Sequence, residues 1–245
     1  MIVLYRIYQL LIALPLLVLA TVLASVVTII GCSLGGGRTW GYYPAHIWAR
    51  IFCWLTLVRV TVRGRENIDP QTSYVFVANH QGAYDIFSIY GFLNHNFRWM
   101  MKASLRRIPL VGYACEISRQ IYVDKSTPSR LKHTMSRAEQ LLAGGMSIVV
   151  FPEGARSFTG KVGPFKRGAF ALAQEFKLPV VPITIDGAFR VMPRTAKLPR
   201  WGHIILTIHP AIQPGAEGHD MRQLLADSRA AVVSALPAPL RGTES

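Results

Sequence analysis

From Leu10 to Gly31 no side chain is charged, and the run is long enough to cross a hydrocarbon core as one helix. A Gly-rich, aromatic turn follows (CSLGGGRTWGYYP, Cys32 to Pro44), and Ala45 to Val58 reads as a second helix with Trp48, Ile51, Phe52 and Leu55 in one apolar stripe. That stripe suits either a membrane surface or a packed core. Beyond it the period changes. VRVTVRG, Tyr74 to Ala78, Phe97 to Met101, Gln120 to Val123, Ser147 to Phe151, Val180 to Ile185 and Ile204 to Ile208 are short β-branched or aromatic runs. Helical patterns at Ala83 to Leu93, Leu131 to Leu142 and Gly168 to Phe176 alternate with them, and His219 to Leu236 reads as a final amphipathic helix. The expectation is an α/β fold, a mixed sheet flanked by helices, over residues 59–245, preceded by a membrane-associated helical hairpin over residues 1–58.

Two strand ends carry chemistry. VFVANHQGAYDIF (Val75 to Phe87) passes from a buried strand into a helix, with His80 in the turn and Asp85 in the first helical turn, where the helix dipole favours a carboxylate. On one continuous helix residues five apart diverge. With His80 ahead of the helix, the chain folds back so that Asp85 accepts a hydrogen bond from one ring nitrogen and leaves the other basic, as a general base requires. His-x4-Asp also arises by chance, and a merely structural histidine is the competing reading. The second end, FPEGARS, places Glu153, Gly154, Arg156 and Ser157 just past Ser147 to Phe151. Ligands of such sheets gather outside the carboxyl ends of strands, so His80, Glu153 and Arg156 are expected in one cleft.

NHQGAYD followed by FPEGARS resembles the glycerophospholipid acyltransferase family, whose patterns are NHxxxxD and FPEGTRS, and within it the bacterial PlsC-type 1-acylglycerol-3-phosphate acyltransferases. GYACEISRQIYVDK (Gly112 to Lys125) and VVPITI (Val180 to Ile185) are similar to two further blocks of the family, in the same order. Lys125 stands where the family has arginine, which keeps a cation but loses the bidentate fork; Ala155 replaces a threonine. The resemblance implies acyl transfer from a thioester, acyl-coenzyme A or acyl carrier protein, to the sn-2 hydroxyl of lysophosphatidic acid, giving phosphatidic acid. His80 would take the hydroxyl proton and Asp85 hold the imidazole. Arg156 suits the acceptor phosphate because arginine pairs phosphate oxygens bidentately; Lys125, Lys102 and Lys166 are further candidates. Glu153 would orient the glycerol hydroxyls or pin its loop. Other acceptors stay open (glycerol 3-phosphate, another lysophospholipid, a lyso-ornithine lipid), as does a non-catalytic lipid-binding role.

Charge and cysteines narrow the rest. The 245 residues carry 27 basic against 13 acidic side chains, a formal charge of +14, which calls for an anionic partner. No recognition module for nucleic acid is present, so membrane phospholipids and phosphorylated substrates are the expected partners. Cys32, Cys53 and Cys115 are scattered, without disulfide or zinc spacing, and no residue cluster suggests a metal or other cofactor. The apolar run exceeds a signal peptide's core, which favours a retained anchor over a cleaved leader. Arg38, Arg50, Arg59, Arg63 and Arg65 follow it and only Arg6 precedes it, which places the α/β domain on the cytoplasmic face of the inner membrane.

Overall fold

The structure is a computed structural model that describes residues 1–124, 126–215 and 220–242. Helix α1 runs over Ile2–Ser33, so the apolar helix begins a full two turns before Leu10 and takes Arg6 into itself. A single π-helical turn at Gln9–Ala13 precedes Pro15. Proline has no N–H to give and its ring crowds the carbonyl four residues back, so a widened turn there is how the helix continues. The most apolar window of α1 is only 17% buried, whereas the core helix of a soluble domain would be mostly covered. Besides Tyr5, Ala13 and Leu17 the helix buries polar or small residues: Ser25, Thr28 and Gly31 turn inward, and Thr21 Oγ1 accepts a hydrogen bond from Trp48 Nε1 at 2.9 Å.

Helix α2 (Tyr43–Leu55) folds back along α1. The hairpin is fastened along its length: Thr21 bonds Trp48, Tyr8 Oη donates to Leu55 O at 2.9 Å, and Tyr5 Oη donates to Thr56 O at 2.7 Å. The sequence pattern carried this helix to Val58; it stops at Leu55 because Thr56 and Leu57 turn the chain and Val58 already pairs in the sheet. The stripe of Trp48 and Phe52 is packed against protein, Phe52 stacking on Phe87 with ring centres 4.4 Å apart.

Beyond a short turn of helix at Gly37–Trp40 and three 3-10 turns among the described residues, the chain continues as strand β1 (Val58–Arg63), β2 (Val75–Ala78), helix α3 (Tyr84–Phe92), β3 (Phe97–Lys102), α4 (Val111–Ile117), β4 (Ile121–Val123), α5 (Pro128–Ala143), β5 (Ser147–Val150), α6 (Gly168–Glu175), β6 (Val180–Asp186), α7 (Ala188–Val191), β7 (Gly202–Ile208) and α8 (Met221–Ser234). The sheet order is β1-β7-β6-β2-β5-β3-β4, parallel except where β6 meets β7. The sequence had shown no sign of α4, and α8 begins at Met221, His219 lying outside the described residues.

Strand β2 lies between β5 and β6 and is buried at every position. Its side chains alternate: Phe76 and Ala78 join the layer under α2 and α3, Val75 and Val77 the layer under α5, α6 and α8. Each large apolar side chain so covered contributes about 1.5–3 kcal/mol relative to exposure. Asn79 then extends the ladder with its side chain: Nδ2 donates to Ile185 O at 2.9 Å and Oδ1 accepts from Ile185 N at 2.8 Å. A buried arginine locks the far end. Arg98 is 2% exposed and donates to the carbonyls of Phe97 and Gly37, tying β3 to the hairpin turn.

Replacing Asn79 with Ala leaves both polar groups of Ile185 buried without partners. The expected cost is about 2–4 kcal/mol, a fall in the melting temperature of roughly 5–10 °C, read by thermal unfolding of the detergent-solubilised protein. A change within about 1 °C would mean that water replaces the asparagine.

Candidate active site

The carboxyl ends of β2 and β5 deliver the two motifs side by side. His80 follows Asn79 directly, and its Nδ1–H donates to Asp85 Oδ2 at 2.7 Å. The same oxygen accepts from Gln81 N at 2.7 Å and Gly82 N at 2.9 Å, so one fully buried carboxylate oxygen gathers three donors of the turn. Asp85 accordingly fixes both the backbone of the turn and the orientation of the ring. Since a carboxylate only accepts, Nδ1 carries the hydrogen and Nε2 is the basic atom. Nε2 has no hydrogen-bond partner among the described residues, and the ring keeps 14% of its surface open.

The ring is clamped from its face as well. Phe151, the first residue past β5, stacks on the His80 imidazole at 3.9 Å and 7°, and Trp99 backs Phe151 at 5.2 Å. In the sequence Phe151 reads only as the strand end that opens FPEGARS, with no sign of a contact to His80. The rest of NHQGAYD is engaged too. Gln81 Nε2 donates to Gly160 O at 2.5 Å, and Tyr84 Oη donates to Thr56 Oγ1 at 2.7 Å, joining the turn to the end of α2. At Gly82 a Cβ would lie 2.5 Å from Ala188 O, which only glycine avoids.

Glu153 is brought to His80 by its backbone partners. Oε1 accepts from His80 N at 2.7 Å, and Oε2 accepts from Gly163 N at 2.8 Å. Of its two expected roles, the observed contacts are those of a pin between loops. Burial pushes its carboxyl up to about 7, against the two backbone hydrogen bonds that favour the charged form.

Arg156 is half-buried on the same loop, and Gly154 beside it has φ +79°. A Cβ on Gly154 would lie 2.6 Å from Lys166 Nζ, so the lysine head sits directly over the Pro-Glu-Gly turn. Arg194, which no motif signalled, joins this group: its guanidinium lies 4.1 Å above the Phe158 ring and donates to Arg156 O at 3.3 Å. Lys102 is exposed at the carboxyl end of β3, the same end of the sheet, and forms no hydrogen bond or ion pair with His80 or Arg156. Lys125 lies outside the described residues. Cys115 carries no sign of activation, burial pushing its thiol up to about 11.

The Glu153 carboxyl has a testable thermodynamic consequence. Its folded value of about 7 lies above the ordinary 4.5, so the folded chain holds the proton more tightly between them. The associated stability is complete below pH 4.5 and is lost as the pH rises through about 7, the reverse of a carboxylate whose folded value is depressed by a cation. Glu153→Gln removes this slope and turns an amide N–H₂ against a backbone N–H. Melting temperatures at intervals from pH 4.5 to pH 7.5 should fall in the parent and stay level in the variant, which should also melt lower at every pH. Parallel slopes would show that Glu153 does not titrate there.

A family model described as Acyltransferase matches residues 59–186, from the second residue of β1 to the last of β6. The chain is 34% identical, over 76% of its length, to a 1-acyl-sn-glycerol-3-phosphate acyltransferase of Chlamydomonas reinhardtii, of which it covers 55%. It is 35% identical over 70% of its length to the enzyme of that name from Pseudomonas aeruginosa, covering 67% of it, and 36% identical over 53% to the human alpha enzyme, covering 46%. The chain thus spans about half the length of the algal and plant relatives it matches. In three dimensions it resembles the lysophosphatidic acid acyltransferase PlsC of Thermotoga maritima, with a TM-score of 0.79 at 25% identity, covering 94% of this chain and 92% of that one. Sequence and fold therefore agree that this chain belongs to the acyltransferase family, among relatives named 1-acyl-sn-glycerol-3-phosphate acyltransferases.

Proposed function

We propose that the chain transfers a fatty acyl group from an acyl thioester to the sn-2 hydroxyl of 1-acylglycerol 3-phosphate, giving phosphatidic acid and a free thiol. The observation that carries this reading is the 2.7 Å bond from His80 Nδ1 to the buried Asp85, with Nε2 on the open edge of the ring. An alcohol does not ionise at neutral pH, so its proton must leave as it attacks. His80 Nε2 takes that proton while the alcohol oxygen bonds to the thioester carbonyl carbon. As the tetrahedral intermediate collapses and the carbon–sulfur bond breaks, the imidazolium returns the proton to the departing sulfur. Asp85 stabilises the charged ring between the two steps. Direct transfer is favoured because, among the described residues, no serine or cysteine hydrogen-bonds the His80 ring, and burial holds Cys115 in its thiol form.

Arg156 and Lys166, grouped around Gly154, supply fixed cations for the acceptor phosphate, with Arg194 behind them. An apolar groove of about 430 Å³ between α1 and the Pro109–Val111 segment, lined by Leu14, Leu17, Val18, Val22, Phe52 and Leu110, is the place for acyl chains. It shares Phe52 with the aromatic contact to α3, the helix that carries Asp85. A lipid substrate would enter sideways from the bilayer, its phosphate toward the β5 loop. The exposed apolar length of α1 supports membrane attachment, and the arginines after it support a cytoplasmic orientation at the inner membrane. The donor is acyl-coenzyme A or acyl carrier protein.

The test pairs two variants, with products from lysophosphatidic acid and each thioester read by mass. His80→Ala should lower kcat by about 10³-fold or more while lysolipid binding persists. Arg156→Ala should raise KM for the phosphorylated acceptor by roughly tenfold or more and leave KM for the thioester unchanged. Near-parental turnover in the first variant removes the base; an unchanged KM in the second moves the phosphate elsewhere.

A further inference from the structure

A second cationic site lies on the other side of the NHQGAYD turn. We propose that the pocket of about 620 Å³ between the start of α1 and the Phe189–Arg200 segment binds the phosphate-bearing headgroup of an anionic bilayer phospholipid through Arg6, Arg190, Lys197 and Arg200. The inference is independent of the acyl-transfer reading, since none of these residues belongs to it.

Three features separate this pocket from an ordinary solvated basic surface. Its cations come from three places in the fold, the first turns of α1, the short helix α7 and the loop into β7, and no acidic side chain lines it. Asp186, which does not line the pocket, forms an ion pair with Arg190 at 3.7 Å. Asp186 partly offsets Arg190, and the cations gathered around one concavity otherwise repel one another and favour an anion. The walls are also held in place. Arg6 Nη1 donates to Gln9 Oε1 at 2.6 Å and to Pro199 O at 2.8 Å, and the buried Gln9 donates to the same carbonyl at 3.0 Å. Arg200 N closes the loop by donating to Val191 O at 2.8 Å. A loop fixed in advance loses little freedom when a ligand arrives.

The position selects a lipid over a soluble phosphate. Ile2, Val3 and Leu10 stand four before, three before and four after Arg6, hence on its face of α1, and all three are exposed. An anion at Arg6 therefore has a hydrocarbon-compatible surface directly beside it. Trp201, the residue after Arg200, meets Tyr5 edge-to-face at 4.8 Å, an aromatic pair of the kind that sits at headgroup level. The same segment reaches the active site from behind: Ala83 N donates to Met192 O at 3.1 Å and Gly82 bridges Pro193. A headgroup in the pocket would brace the loop against which the His80 turn rests.

Native mass spectrometry of the full chain in neutral detergent tests this, with diacyl phosphatidylglycerol, diacyl phosphatidylcholine, coenzyme A and inorganic phosphate as probes. Phosphatidylglycerol should be retained at least tenfold better than phosphatidylcholine. Lys197→Glu, and separately Arg190→Gln with Arg200→Gln, should each reduce that retention about tenfold; all three positions are exposed, so the fold survives them. Arg156→Ala should leave it unchanged. Equal retention of the two lipids, or retention that survives both sets of substitutions, overturns the proposal. Loss of retention in Arg156→Ala would place the lipid in the catalytic cleft instead. Coenzyme A or phosphate binding that Lys197→Glu abolishes, with phosphatidylglycerol unaffected, would assign the pocket to a soluble phosphate.

Discussion

One carboxylate oxygen, Asp85 Oδ2, holds the site together. It is buried, and it receives His80 Nδ1–H together with the backbone N–H groups of Gln81 and Gly82. Hydrogen bonds to a charged acceptor are worth about 1.5–3 kcal/mol each, and three of them offset the penalty of taking that charge out of water. The geometry requires the histidine outside the helix and the aspartate inside it, which is why a strand must end and a helix begin within these few residues. Gly82 permits the necessary closeness to Ala188, and Tyr84 ties the start of α3 to the end of the hairpin.

A second carboxylate makes the turn rigid from the other side. Glu153 reaches across from β5 to His80 N and onward to Gly163 N, while Ser157 N donates to His80 O at 2.8 Å. His80 is therefore fixed at its ring by Asp85 and Phe151, and at its backbone by the loop that presents Arg156. The His80 ring and the loop that carries Arg156 are thus tied into one hydrogen-bonded network. This is the sense in which two motifs far apart in the chain form one site; the two backbone donors at the ends of Glu153 favour its ionised form, and burial opposes them.

Much of this was legible in the sequence because it rests on local rules. Short β-branched runs gave the sheet, and the Asn-Gly interruption of an apolar strand gave the turn that aims His80. Where the pattern failed, distant packing decided. Arg98 sits inside a strand that reads as apolar, buried because the hairpin turn offers it carbonyls. The start of α1 was hidden by Arg6, a charge tolerated there because Pro199 and Gln9 receive it. Arg194 and one wall of the basic pocket come from the connection between β6 and β7, which after α7 is irregular and rests against Gly82, with no local period. Phe151 could be read as strand, but its stacking on His80 is a meeting of β2 and β5 that no spacing reports.

The most direct measurement of the central claim is the protonation pattern of the His80 ring, by ¹⁵N–¹H correlation NMR on the detergent-solubilised chain with labelled histidine. Neutral His80 should carry its hydrogen on Nδ1 with Nε2 bare, and Asp85→Asn should shift the ring toward the opposite tautomer. A hydrogen on Nε2 in the parent protein, or a pattern indifferent to Asp85→Asn, would contradict the account.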